Sequence, residues 1–141
     1  MKQQQNNITN VEITDSVCEE TIRLLKPKLA LFDYITEQTF KDKLKSGAYK
    51  LVSIHGFLVF LEYIVYETGL KVMEVNVINS DQDVNNTPDV MREALAAVED
   101  YCSQWEVDRF VLDGRTGWKR VFPDYSVEKT ILSKNRIRSN Y

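Results

Sequence analysis

Asp81-x-Asp83-x-Asn85 spaces three oxygen donors as the first half of a calcium-binding loop does. The match ends there, because the turn glycine is replaced by Asn86 and the bidentate carboxylate by the cation Arg92. The stretch therefore reads as a solvated acidic loop. Glu62 is a different case, since it lies inside the apolar run from Phe57 to Tyr66. A carboxylate on such a strand is costly unless something compensates it. Either a pocket or an ion pair with a lysine such as Lys50 or Lys71 would do so. His55 precedes Gly56 at a turn, with no serine or cysteine nearby to form a nucleophile motif, so it reads as a hydrogen-bonded structural histidine. Cys18 and Cys102 are too far apart for a CxxC pair, and one histidine is too few for a structural zinc site. Both are expected as buried free thiols, and no metal site is expected.

The chain has 141 residues, 43% hydrophobic and 28% charged, which suits one soluble domain with its own core. The net charge of −3 hides an uneven distribution. Residues 1–108 hold 10 Lys/Arg against 18 Asp/Glu, whereas residues 109–141 hold 8 against 3. That basic end suits nucleic acid, a phosphorylated cofactor, an acidic protein surface or the acidic part of its own fold. Lys129, Lys134, Arg136 and Arg138 offer a weak DNA contact, but the stretch lacks the aromatic interleaving of single-strand binders. No run approaches the roughly 18 apolar residues of a spanning helix, so membrane insertion is not expected. The leader MKQQQNNITN has no apolar stretch and reads as neither a secretory signal nor a transit peptide. With free cysteines, this points to synthesis in a reducing cytoplasm.

The positioning elements follow from periodicity. Val11–Ile13 is long enough for a short edge strand. Ser16 with Glu19 matches a capping box, and Cys18, Ile22, Leu25 and Leu29 mark one helix face, which Pro27 ends or kinks. Thr36 as cap, Phe40 and Leu44 four apart, and Gly47 as stop define a second helix. Tyr49–His55, Phe57–Tyr66 and Leu70–Ile78 read as an antiparallel meander whose middle strand is covered on both faces. Thr87-Pro88 opens a long helix. Its apolar stripe is Val90, Met91, Ala94, Leu95, Val98, Tyr101, Cys102 and Trp105. A strand at Arg109–Leu112, a glycine-bracketed turn, a short helix Trp118–Phe122 and a last strand Val127–Leu132 complete the order. Trp105 and Trp118 read as core or interface aromatics. The fold class is mixed α/β, with about six strands in the order β-α-α-β-β-β-α-β-α-β.

That order, and the stretch from Val111 to Val127 with its Gly114-Arg115, Gly117-Trp118 and Arg120, resembles the GNAT acyltransferases. In particular it is similar to small GNAT-like proteins of tailed phages, some of them packaged in the virion. The resemblance spans about residues 10–134, leaving 1–9 as a polar leader and 135–141 as a basic tail that docks on another subunit. It implies acetyl-CoA as cofactor if the chain is active. Glu74 then matches the base on the strand before the phosphate loop, and Tyr125 is a substitute acid, because Phe122 stands where the family has its tyrosine. Val77, Asn79, Thr87 and Arg115 match cofactor-binding places. It also implies a substrate notch between splayed strands, where Glu62 would be at home.

The departures are as informative. The family's Q/R-x-x-G-x-G/A loop lets backbone amides approach a diphosphate at a helix N-terminus. Here the sequence from Asn79 to Asp89 has no glycine, three aspartates, and Pro88 in place of one amide. Each negative charge facing a diphosphate repels it. The resemblance thus implies a GNAT fold without acyl-CoA chemistry and with no cofactor, serving as a virion-associated structural or protein-interaction component. Other virion proteins, or a homo-oligomer, are its expected partners. An active N-acetyltransferase with an unconventional cofactor grip is the alternative, and a nucleic-acid-associated protein is a second.

Overall fold

The structure is a computed structural model that describes residues 8–26, 30–78, 88–112 and 123–126. Its first strand, β1 (Thr9–Asn10), precedes the expected Val11–Ile13. The sheet contact ends where the Val11 N–H donates to the Leu51 carbonyl at 3.0 Å. Val11 and Ile13 instead pack against the core beneath the helix that follows. Helix α1 (Asp15–Leu25) is capped by Thr14 rather than Ser16. The Thr14 hydroxyl accepts from the Val17 N–H at 3.1 Å, its backbone being extended where Ser16 is already helical. This earlier start puts Asp15 in the first turn, where the helix dipole favours an acid.

The second helix matches its reading. α2 (Glu37–Ser46) is capped by Thr36, buries Phe40 and Leu44, and ends at Gly47, whose φ of 85° is open to glycine without penalty. A 3-10 turn at Ala30–Asp33, with no counterpart in the periodicity, links the two helices. α1 and α2 are joined along their length by Asp15–Lys45 at 2.5 Å, Glu19–Lys41 at 3.7 Å and Glu37–Lys26 at 2.8 Å, an antiparallel ladder of exposed ion pairs.

Strands β2 (Tyr49–Ile54), β3 (Phe57–Val65) and β4 (Lys71–Ile78) form the expected meander. α3 (Pro88–Tyr101) crosses over to β5 (Arg109–Leu112), which pairs parallel with β4. The sheet is mixed, in the order β1-β2-β3-β4-β5, with β3 central. Where β5 begins, Asp108 donates its N–H to the Lys71 carbonyl at 2.8 Å, and its carboxylate accepts the Lys71 N–H at 2.9 Å. The expected short helix Trp118–Phe122, last strand Val127–Leu132, basic tail 135–141 and the first seven residues of the leader 1–9 lie outside the described residues, while Thr9 of that leader belongs to β1. Among the described residues there are five strands, the expected last one falling outside them.

Strand alternation sends successive side chains to opposite faces. Val52, Val59, Leu61, Met73 and Val75 meet α3 through Ala94, Leu95, Ala97 and Val98. Leu51, Phe60 and Ile78 meet α1 and α2 on the other face. Phe40 anchors this second core, with ring centroids 5.5 to 5.6 Å from Phe32, Tyr49 and Phe60. Cys18 and Cys102 are buried free thiols, one in each core, as expected. Among the described residues no helix is long and apolar enough to cross a membrane.

Candidate functional site

Glu62 and Glu74 meet on the sheet face that carries α1 and α2, whereas Asp81, Asp83 and Asn85 lie outside the described residues. Tyr49 on β2 is register partner to Glu62 on β3, and Glu62 to Glu74 on β4. Two like charges directly opposite on neighbouring strands disfavour each other. Glu62 is relieved by Lys43, from the last turn of α2, with Nζ at 3.7 Å. Neither lysine named from sequence fills that role: Lys50 donates to the Gly47 carbonyl and Lys71 pairs with Glu106 at 3.0 Å. Lys50 and Lys71 occupy alternate positions that face the α3 side, whereas Glu62 faces α2. The Lys43 ammonium also lies 4.9 Å from the Tyr49 ring centroid, within cation–π range. Burial first, and then the Glu62 charge, push the Tyr49 phenol above its ordinary pKa.

Glu74 is half-buried and shares its face with Asn76, whose amide nitrogen donates to it at 3.5 Å. Arg109, register partner of Val72, lies on the same face of β5 one row away. Pairing between β4 and β5 runs from Val72↔Arg109 to Val75↔Leu112. Among the described residues, the end of β4 from Asn76 to Ile78 has partners only on β3.

The other residues named from sequence are not gathered there. Val77 faces α3 and packs against the opposite core. Tyr125 packs against that same core and donates its hydroxyl to Glu99 of α3 at 2.5 Å. Burial first, and then Glu99, push its phenol well above the ordinary value, so its proton is held fast. Glu74 and Tyr125 thus stand on opposite sides of the sheet. Asn79, Thr87 and Arg115 lie outside the described residues. Lys43 and Tyr49 escaped the sequence reading, although Lys43 stands three residues after core Phe40, a spacing that puts both on one side of a helix.

The resemblance to the GNAT acyltransferases implies a diphosphate at the start of α3. Pro88, its first residue, has no N–H to offer, and Asp89 adds a carboxylate to the first turn. Asp89 is paired with Arg92 one turn later.

No protein-family model matches the chain, and no curated protein does either. Solved structures do match over nearly the whole length. An acetyltransferase from Trypanosoma brucei superposes with a TM-score of 0.61 at 10% identity, covering 92% of this chain and 98% of its own. The glucosamine-6-phosphate N-acetyltransferase from Arabidopsis thaliana gives 0.56 at 16% identity, covering 91% and 96%. The ribosomal-protein-alanine N-acetyltransferase from Brucella melitensis biovar Abortus 2308 gives 0.53 at 15%, covering 94% and 98%. With a meander closed by a parallel β5 across α3, these whole-chain superpositions give the chain the fold of the GNAT-type acetyltransferases.

Proposed function

We propose that the chain keeps the GNAT fold without acyl-CoA chemistry and works as a protein-interaction component packaged in, or attached to, a tailed-phage particle. The observation that carries the loss of chemistry is the first turn of α3. A diphosphate needs free amides and positive potential at a helix N-terminus. This one offers a proline and an acid already paired with Arg92, after a stretch with no glycine and two further aspartates, Asp81 and Asp83. The separation of Glu74 from Tyr125 by the sheet supports the same reading, because an acid and a base for one reaction must reach one substrate.

The particle role rests on the resemblance of Gly114-Arg115, Gly117-Trp118 and Arg120 to phage-encoded relatives. Its mechanism is complementary charge: a basic carboxyl-terminal quarter and an acidic body present opposite contacts to neighbouring subunits. Mass spectrometry of purified particles is expected to find the chain at fixed copy number. Its absence from particles would remove that role.

Thermal melting with acetyl-CoA tests the chemistry. A cofactor at 100 times its Kd would add about 2.7 kcal/mol of stability. No shift, and no heat on calorimetric titration, is the expected result. A clear shift would instead favour an active N-acetyltransferase with Glu74 as base. Retention on DNA that falls steeply with salt would favour the basic end as a nucleic-acid contact.

A further inference from the structure

At the sheet edge remote from β5, β1 covers only part of β2 and leaves an open cleft of about 360 Å³. The cleft is shallow and open to solvent. Its walls are aromatic and aliphatic: Tyr49, Tyr101 and Trp105 with Val11 and Ile13. The Tyr101 and Trp105 rings meet edge-on, with centroids 5.7 Å apart, and form one corner of the cleft. Asn10 and Gln104 add amide groups to the lining.

The charge in this cleft is unusual for the molecule. Of the six lysines among the described residues, Lys26, Lys41, Lys43, Lys45 and Lys71 each pair with a carboxylate. Lys50 has no carboxylate partner among the described residues. Its ammonium sits 5.4 Å from the Trp105 ring centroid and donates to the Gly47 carbonyl at 3.3 Å. An ammonium has three donors, so this geometry leaves capacity for an anion. A single cation suits a monoanion; a phosphate dianion would call for more positive charge. The rings favour a flat apolar body over a branched one.

We propose that this cleft is a binding site for a small planar aromatic carboxylate, its ring stacked in the Tyr101–Trp105 corner and its carboxylate on Lys50. The site is separate from the β4–β5 region and stands whether or not the chain binds acyl-CoA.

Indole-3-acetate serves as the probe, titrated into the full chain and followed by amide and indole N–H chemical shifts in two-dimensional NMR. The expected result is saturable shifts at Lys50, Gln104 and the Trp105 indole. The neutral analogue indole-3-ethanol is expected to bind at least tenfold more weakly, a comparison that needs no variant. Lys50→Met, which keeps the apolar stem, should weaken the acid about tenfold and leave the neutral analogue unchanged, while Lys50→Arg should retain most of the affinity. Equal affinity for acid and alcohol on the unaltered chain would overturn the proposal. So would the absence of shifts at these residues with millimolar probe, or a Lys50→Met protein that is folded by its spectrum and binds the acid undiminished.

Discussion

His55 carries a φ of 50° and Gly56 one of 82°, so both residues of the β2–β3 turn occupy left-handed backbone. A two-residue hairpin of this kind favours Asn-Gly, because asparagine tolerates that conformation better than an imidazole-bearing residue does. His55→Asn is expected to stabilise the fold by about 0.5 kcal/mol, read as a higher urea midpoint at unchanged slope. A lower midpoint would mean that the imidazole itself holds the turn. The turn was legible in the sequence from His55-Gly56 alone, since such signals act between near neighbours. The α1 cap was not: Thr14 and Ser16 are both competent caps, and nothing local to either says which one the chain uses. Nor was the partner of Glu62, because the reach of Lys43 depends on how α2 lies across the sheet.

At the scale of elements, the ion pairs between α1 and α2 bear on pH dependence. Lys45, by hydrogen bond and then by charge, holds the Asp15 carboxyl below its ordinary 3.8. A carboxyl lowered in the folded state contributes stability above its unfolded pKa and loses that contribution as pH falls through the folded value. Lys45→Met should therefore melt slightly below the unaltered protein at neutral pH. The gap should start to close as the pH drops below 3.8, and it should shrink in 1 M salt, which screens exposed pairs. A gap that does not narrow at all as the pH falls below 3.8 would assign the effect to the packing of the lysine stem. Each helix face was readable from its period; the registry between α1 and α2 was not, since no local signal says which acid meets which lysine. For the same reason the resemblance, which gives Glu74 as base and Val77 as a cofactor contact, does not say that strand alternation sends the two to opposite faces.

For the molecule as a whole, β3 is the partition between two cores, and each core contains one thiol. Burial raises the pKa of both, Cys102 to about 11, and both side chains are closed to solvent. Thiolate and access are both needed for reaction. Neither cysteine should react with a disulfide reagent in the native protein, and both should become reactive together across a denaturant transition if the layers unfold as one unit. Reaction of one well before the other would show that the two cores open separately. The meander, the crossover and the mixed sheet were all legible, because changes of period and strong helix starts dictate element order. What a whole-chain reading could not supply was the sidedness of Tyr125, whose partner Glu99 is 26 residues away. A last consequence lies in Asp108, which clasps Lys71 through both its main chain and its carboxylate. The clasp sets the seating of the final described strand at its first step, independently of how many residues the crossover contains. Insertions between Tyr101 and Asp108 would thus lengthen the bridge while leaving unchanged which side chains look toward each layer.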